Sequence, residues 1–504
     1  MTRTRRYLGG VGVGWASQAV MLVVGLWTTR FFLERLGQSS YGLWLVATQV
    51  LGYLGLADLG VLALLPRETA YASAHAAEGS HAATAVLLGR TFRLLLWQTA
   101  LVAALAAGVW LLFPASWEPL RGPIGILLVG FVVLFPARIL PAAVQGLQDL
   151  AFVGALQLVA WGTGTALMVL LTFQGRGLLS LAIGWLATQL VMALGCAIRL
   201  LRRFPSAVPR SLPTLPPGFA RSFLTRGAWM NLNQVAQVLL TGTDLLIIGR
   251  QVGPAAVVTY SVTGKLPGVF QSASQTLPAA AVPALSELKA QDDRPALLRV
   301  NGALMQAVFL VSGATAVVVL AANASFVGWW VGANRYGGAL LTAGILASML
   351  LHHANMCLGY ALFAMGHERR LTLTALADGL ATVALSLVLV RAIGPVGAPL
   401  GAIAGVCLIS LPFNLDALAR ATGTPFGSLF RPLVPWVWRM AVVVPAAALA
   451  GITWTQGHFL VAAATAAAAA AAYALLMGPY ALRDPLGEYT RKHGHALLAR
   501  VRGK

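Results

Sequence analysis

Apolar residues run in blocks along this chain. Stretches of about 20 residues, nearly free of charge, alternate with short segments rich in arginine, proline and glycine. A helix of that length crosses the ~30 Å hydrocarbon core of a bilayer. Spans are predicted near 8–29, 41–63, 92–113, 122–144, 151–173, 178–200, 226–249, 255–283, 300–322, 336–361, 371–392, 395–419, 436–456 and 458–480. The expected fold class is an all-α polytopic membrane protein with about 14 transmembrane helices.

Charge orients these spans. With a cytoplasmic N-terminus, only seven of the 35 Lys and Arg fall on outside segments: Arg30, Arg35, Arg121, Arg176, Arg250, Arg335 and Arg391. Lys265 lies inside a span, and the rest fall inside. This asymmetry obeys the positive-inside rule and predicts that both termini are cytoplasmic. The N-terminus has the basic and apolar parts of a signal peptide, but its apolar run reaches spanning length, so an uncleaved first helix is expected.

The longest connection, "RRFPSAVPRSLPTLPPGFARSF" (202–223), is rich in proline and arginine and cannot cross lipid as a helix. It predicts a cytoplasmic linker between a six-helix lobe (1–201) and a second one (224–420). Two additional helices (421–480) and a basic cytoplasmic tail (481–504) follow. Aligning Gly37 with Gly253 also aligns Gly52 with Gly268, Gln18 with Gln234 and Gln49 with Lys265. That pattern predicts a parallel pseudo-repeat, since six spans return the chain to the same side.

Composition removes several function classes. The chain is 58% hydrophobic and 10% charged, with Lys plus Arg outnumbering Asp plus Glu by 35 to 15. The basic residues punctuate apolar spans, so no nucleic-acid partner is expected. Cys196, Cys357 and Cys407 lie singly in apolar spans and read as small core residues. No P-loop, nucleophile-and-base pair or metal-ligand spacing is present, so neither an enzyme nor a cofactor nor a metal is expected. The glycines of "GGVGVG" from Gly9 open a spanning helix and read as close helix packing. His352 and His353, being adjacent, point to different sides of a helix.

Polar residues within spans carry the candidate site, because a central Lys or Arg costs roughly 2.5 to 3.5 kcal/mol unless compensated. Lys265, in "YSVTGKLPGVF", lies about 15 Å along a helix entered near Ala255, close to mid-bilayer. It either pairs with a distant acid (Asp58, Asp244 or Asp378) or faces a hydrated cavity as an anion contact. Arg138, between Pro136 and Pro141, is shallower and open to both readings. In the seventh span Asn231, Gln234, Gln237, Thr241 and Asp244 recur at steps of three and four, one face of a helix. That face predicts either interhelical hydrogen bonding or a water-lined wall. Gln18 and Gln49 extend the polar inventory in the first lobe.

Two segments resemble a known family. They contain Leu36-Gly37 followed by Tyr41-Gly42, the step Ala57-Asp58-Leu59-Gly60, Asp244 before Gly249, and Val252-Gly253 followed by Tyr260-Ser261-Val262 and Lys265. These features resemble the bacterial polysaccharide transporter family, the oligosaccharide and O-antigen flippases. That family shares a superfamily with the multidrug and toxic compound extrusion proteins and the lipid II flippases. The resemblance implies two six-helix bundles around a central cavity, in the bacterial inner membrane. It implies a lipid-linked oligosaccharide on undecaprenyl diphosphate as substrate, moved by alternating access for cell-surface polysaccharide such as lipopolysaccharide O-antigen. Membrane lipids are its surroundings, and polymerase or glycosyltransferase proteins are its implied partners.

A diphosphate suits Lys265 and Arg138, and sugar hydroxyls suit Gln18, Gln49, Gln234, Gln237, Asn231 and Thr241. Asp244, Asp58 and Asp378 are left for ion coupling or structure. Relatives that export cationic drugs place an acid in the first lobe's cavity, and the first span here has none. The alternatives are a lipid II flippase for peptidoglycan, a multidrug or cation antiporter, and a non-transporting scaffold acting through the tail "RKHGHALLARVRGK".

Overall fold

The computed structural model describes residues 3–74, 81–453 and 458–491. Among them the protein is helical, with no strand. The chain divides into two compact units, residues 1–235 and 236–504. The first contains α1 (Arg3–Leu36), α2 (Gln38–Gly55), α3 (Val61–Ala74), α4 (Ala82–Leu111), α5 (Glu118–Leu134), α6 (Ile139–Gly146), α7 (Leu150–Phe173), α8 (Leu178–Arg203) and most of α9 (Phe219–Thr241). The second contains α10 (Asp244–Gln251), α11 (Pro254–Thr263), α12 (Lys265–Ala290), α13 (Arg294–Trp330), α14 (Gly338–Ala364), α15 (Glu368–Ile393), α16 (Gly397–Gly405), α17 (Leu411–Thr422), α18 (Phe426–Phe430), α19 (Val434–Thr453) and α20 (Phe459–Ala481).

Every predicted stretch coincides, within the described residues, with one helix or with helices separated by a short break. By length and hydropathy, eight helical stretches among the described residues qualify as spans, and three bent pairs raise the number to 11. Three of the predicted spans are thus bent. α2 meets α3 at 50°, the α5 helix meets the α6 helix at 57°, and α9 meets α10 at 45°. Each break has a local cause. Leu59 and Gly60 adopt positive φ (51° and 76°) before α3. Pro136 opens a 3-10 turn before α6. Gly242 and Thr243 interrupt α9. A further break, at Gly264, separates α11 from α12.

The first unit is closed by small residues. Gly164 of α7 and Gly184 of α8 are so close that a Cβ on either would meet the other's carbonyl oxygen at 2.7 Å. Without a hydrophobic drive between helices in lipid, such close approach is what holds them together. Gly60 presses on α9, where its Cβ would overlap the Gly227 carbonyl. This contact is one reason most of α9 packs with the first unit, whereas span counting set the lobe boundary before residue 224. The proline-rich connection is docked on α4: Arg93 donates to the Pro213 carbonyl at 3.0 Å, and Pro213 and Pro209 fill the space beside Gly89.

The second unit is built around α13, buried along most of its length. The two additional helices supply much of that cover. Trp436 and Met440 of α19, with Tyr473 and Met477 of α20, join Val308, Phe309 and Leu320 in one apolar cluster. Tyr473 donates its hydroxyl to the Leu310 carbonyl at 2.9 Å and accepts from the Trp436 indole at 3.2 Å. Along α15 lie Gly397, Gly401 and Gly405, one helical turn apart. A Cβ at Gly401 would stand 2.7 Å from the Ser386 nitrogen. Between α16 and α17 the helix widens into a π stretch, Val406–Ser410. Cys196 and Cys357 are buried as expected, but Cys407 is exposed on this stretch.

Candidate functional site

In the second unit Lys265 is the first residue of α12, directly after the break at Gly264. The break falls at a glycine, and Pro267 contributes to it indirectly. A proline has no N–H to reach the carbonyl four residues back, here that of Thr263. Asn323 of α13 supplies the missing donor, its amide reaching the Thr263 carbonyl at 3.0 Å and the Thr342 hydroxyl at 3.2 Å. Gly337 N donates to the Thr263 hydroxyl at 2.9 Å. The broken helix is thus sewn to its neighbours, and Lys265 is held at a fixed point on it. Lys265 is half-buried. Among the described residues its ammonium has neither an ion pair nor a hydrogen bond.

The acids considered as its partners are engaged elsewhere. Asp244 accepts a 2.6 Å hydrogen bond from the Tyr260 hydroxyl. Fully buried Asp378 accepts from Thr382 at 3.2 Å through Oδ1 and from Ser410, while its Oδ2 has no partner. His352 lies within electrostatic reach of both acids. Its Nδ1 donates to the Ser348 carbonyl at 2.9 Å, and its Nε2 is buried without a partner. His353 turns away to the Ser312 hydroxyl at 2.7 Å. The two histidines therefore do face different sides.

In the first unit Asp58 closes the α2–α3 break. Its Oδ1 accepts from Gly60 N at 3.0 Å, and its own carbonyl accepts from the buried Gln98 amide at 3.1 Å. Asp58 therefore performs a structural cap at the start of α3. Arg138 sits at the second break and reaches across to the first, donating to the Gly55 carbonyl at 3.4 Å. It interacts electrostatically with Asp58 and stands over the Phe131 and Phe135 rings, 5.6 Å from each centroid. It also lines a small cavity of about 70 Å³ with Trp185 and Gln189.

The predicted stripe of α9 is shorter than expected. Asn231, Gln234, Gln237 and Thr241 share the helix, but the break at Gly242 and Thr243 removes Asp244 to α10. The Thr241 hydroxyl is spent on its own helix, donating to the Gln237 carbonyl at 2.7 Å. Asn231 has a buried, unpartnered Oδ1. The side chains of Gln18, Gln49, Gln234 and Gln237 make no hydrogen bond among the described residues, and Gln18 and Gln237 are exposed. Asn323 and Gln98 are buried polar residues that sequence reading passed over, and His352 was read without its acid neighbours. Each lies in an apolar stretch, which was signal enough.

Comparisons place this geometry. Residues 124–334 match a family described as polysaccharide biosynthesis protein. A comparison with curated proteins finds no sequence match. Among solved structures, the lipid II flippase MurJ in an inward closed conformation superposes with a TM-score of 0.68 at 12% identity, covering 93% of this chain and 99% of that one. A multidrug resistance MATE family transporter of the MOP superfamily, inward-facing, gives a TM-score of 0.55 at 15% identity, covering 81% of this chain and 94% of that one. Both findings bear out the resemblance read from the sequence: this is a multi-pass membrane protein with the fold of the MurJ and MATE-type transporters, and residues 124–334 carry the mark of a polysaccharide biosynthesis family.

Proposed function

We propose that the protein is a flippase of the bacterial inner membrane that carries an undecaprenyl diphosphate-linked oligosaccharide across by alternating access, for cell-surface polysaccharide such as O-antigen. The observation that carries this reading is Lys265: a half-buried cation at the break between α11 and α12, with no counter-charge among the described residues. A diphosphate supplies the missing anion through charge-assisted hydrogen bonds, at a site where burial makes them strong. Arg138 serves as a second anion contact, weaker because part of its guanidinium is held by the Gly55 carbonyl and its charge is partly offset by Asp58. Gln18, Gln49, Gln234 and Gln237 keep free amides for sugar hydroxyls, and Asn231 and Thr241 are assigned to the same task. Asp244, His352 and Asp378 are assigned to the coupling cation, since they gather two carboxylates and an unpartnered imidazole nitrogen in one unit. Asp58 is assigned to structure.

No bond is made or broken in this reading, so the protein is a transporter and not an enzyme. Its partners are the lipid-linked oligosaccharide, the surrounding lipids, and the polymerase and glycosyltransferase proteins that build and consume it. In a strain lacking the transporter, Lys265→Ala should reach the membrane at the normal level and leave surface polymer almost absent. Full restoration of the polymer by that variant would refute the site. Rescue of a lipid II flippase depletion, without restoration of surface polymer, would move the substrate to lipid II.

A further inference from the structure

A cavity of about 580 Å³ lies wholly within the second unit, where α13 begins and α20 has just ended. Its wall is built rather than incidental. The segment after α20 is clamped to α13 by Gln306, whose Oε1 accepts from Leu486 N at 2.8 Å, while Pro485 rests against Gly302. Arg299 and Glu488 line this cavity with opposite charges, and neither has an ion pair or hydrogen bond among the described residues. Asn301 is 2% exposed. Its amide nitrogen contacts the Met305 sulfur at 3.9 Å, and its Oδ1 is buried without a donor. The Ser428 hydroxyl donates to the Pro425 carbonyl at 2.6 Å, so it offers the cavity only lone pairs.

The cavity thus presents one guanidinium and, apart from it, mainly acceptors: the free Glu488 carboxylate, the Asp484 carboxylate already paired with Arg491, an amide oxygen, and the hydroxyls of Ser428 and Thr424. It asks for a ligand holding an anion and a primary ammonium together. Spanning helices end at the level of lipid head groups, and a phosphate joined to a primary amine is a head-group chemistry. We propose that this cavity binds the head group of phosphatidylethanolamine, with the phosphate on Arg299 and the ammonium shared by Glu488, the Asn301 oxygen and Ser428. A choline head group has no N–H to give Asn301, and a glycerol head group brings no cation to Glu488. This site is independent of the transport reading, because it touches none of the residues assigned to cargo.

Native mass spectrometry of the full chain, purified in micelles doped with equal amounts of phosphatidylethanolamine, phosphatidylcholine and phosphatidylglycerol, tests the assignment. The ethanolamine lipid should be retained about tenfold over the other two, the worth of one charge-assisted hydrogen bond. Glu488→Gln should lower it to the level of the choline lipid, and Arg299→Gln should lower both. Both side chains are exposed, so these variants leave the core untouched, and an unchanged thermal midpoint checks it. Equal retention of ethanolamine and choline lipids, preference for the glycerol lipid, or an undiminished ethanolamine preference in Glu488→Gln would each overturn the proposal. Soluble phosphoethanolamine should fail to displace the lipid. Displacement would assign the cavity to a free metabolite and remove the lipid claim.

Discussion

Lys265 shows how much one side chain reveals. Charge accounting isolated it, since every other basic residue could be given to a loop or helix end, and the structure leaves its ammonium unpaired among the described residues. Charge is the property at stake, so Lys265→Arg should retain part of the transport activity that Lys265→Ala loses, measured as surface polymer at equal protein level. Asn323 was equally visible as a polar residue in an apolar stretch, but its role was not. Only the fold shows that Pro267 frees the Thr263 carbonyl and that Asn323, 60 positions away, satisfies it. Asn323→Leu leaves that carbonyl buried and unbonded, a penalty of about 1 to 3 kcal/mol. The thermal unfolding midpoint should fall accordingly, while Asn323→Gln, able to reach a neighbouring acceptor, should lose less. A midpoint unchanged in Asn323→Leu would mean that water or another donor takes its place.

Helix positions were legible from apolar run length, and their breaks were not. Proline and glycine are tolerated inside membrane helices when neighbours satisfy the freed backbone groups, so their presence alone does not say where a span will bend. Pro66, Pro278 and Pro283 lie inside helices, whereas Pro136 opens a 57° bend. The same ambiguity moved Asp244 off the α9 stripe and into contact with Tyr260. Glycine spacing was a missed clue of the opposite kind. Gly397, Gly401 and Gly405 repeat every four residues, a small-residue face, and α16 lies against α15 through it. Gly401→Leu should cost about 1 to 3 kcal/mol by overpacking, seen as a lower thermal midpoint and less folded protein. Gly427→Leu, with open space at its Cβ, should be close to neutral.

For the whole molecule, the additional helices α19 and α20 are part of the second unit's core. They cover α13 with Trp436, Met440, Tyr473 and Met477. Ending the chain after Thr422 should remove this packing and the Tyr473 hydrogen bond to α13, and abolish accumulation of folded protein. Tyr473→Phe, which deletes hydrogen bonds to the Leu310 carbonyl and Trp436, should cost about 1 kcal/mol. Normal accumulation of the truncated chain would make the two helices accessory. By itself the sequence determined the class, the helices and the family resemblance. Apolar run length, charge asymmetry and local glycine motifs are properties of neighbours along the chain, and the bilayer enforces them without reference to tertiary contacts. Only the tertiary structure decided which acids Lys265 does not meet, and that His352 lies within electrostatic reach of Asp244 and Asp378. Those pairings join residues tens to more than a hundred positions apart, and the packing of whole helices selects them.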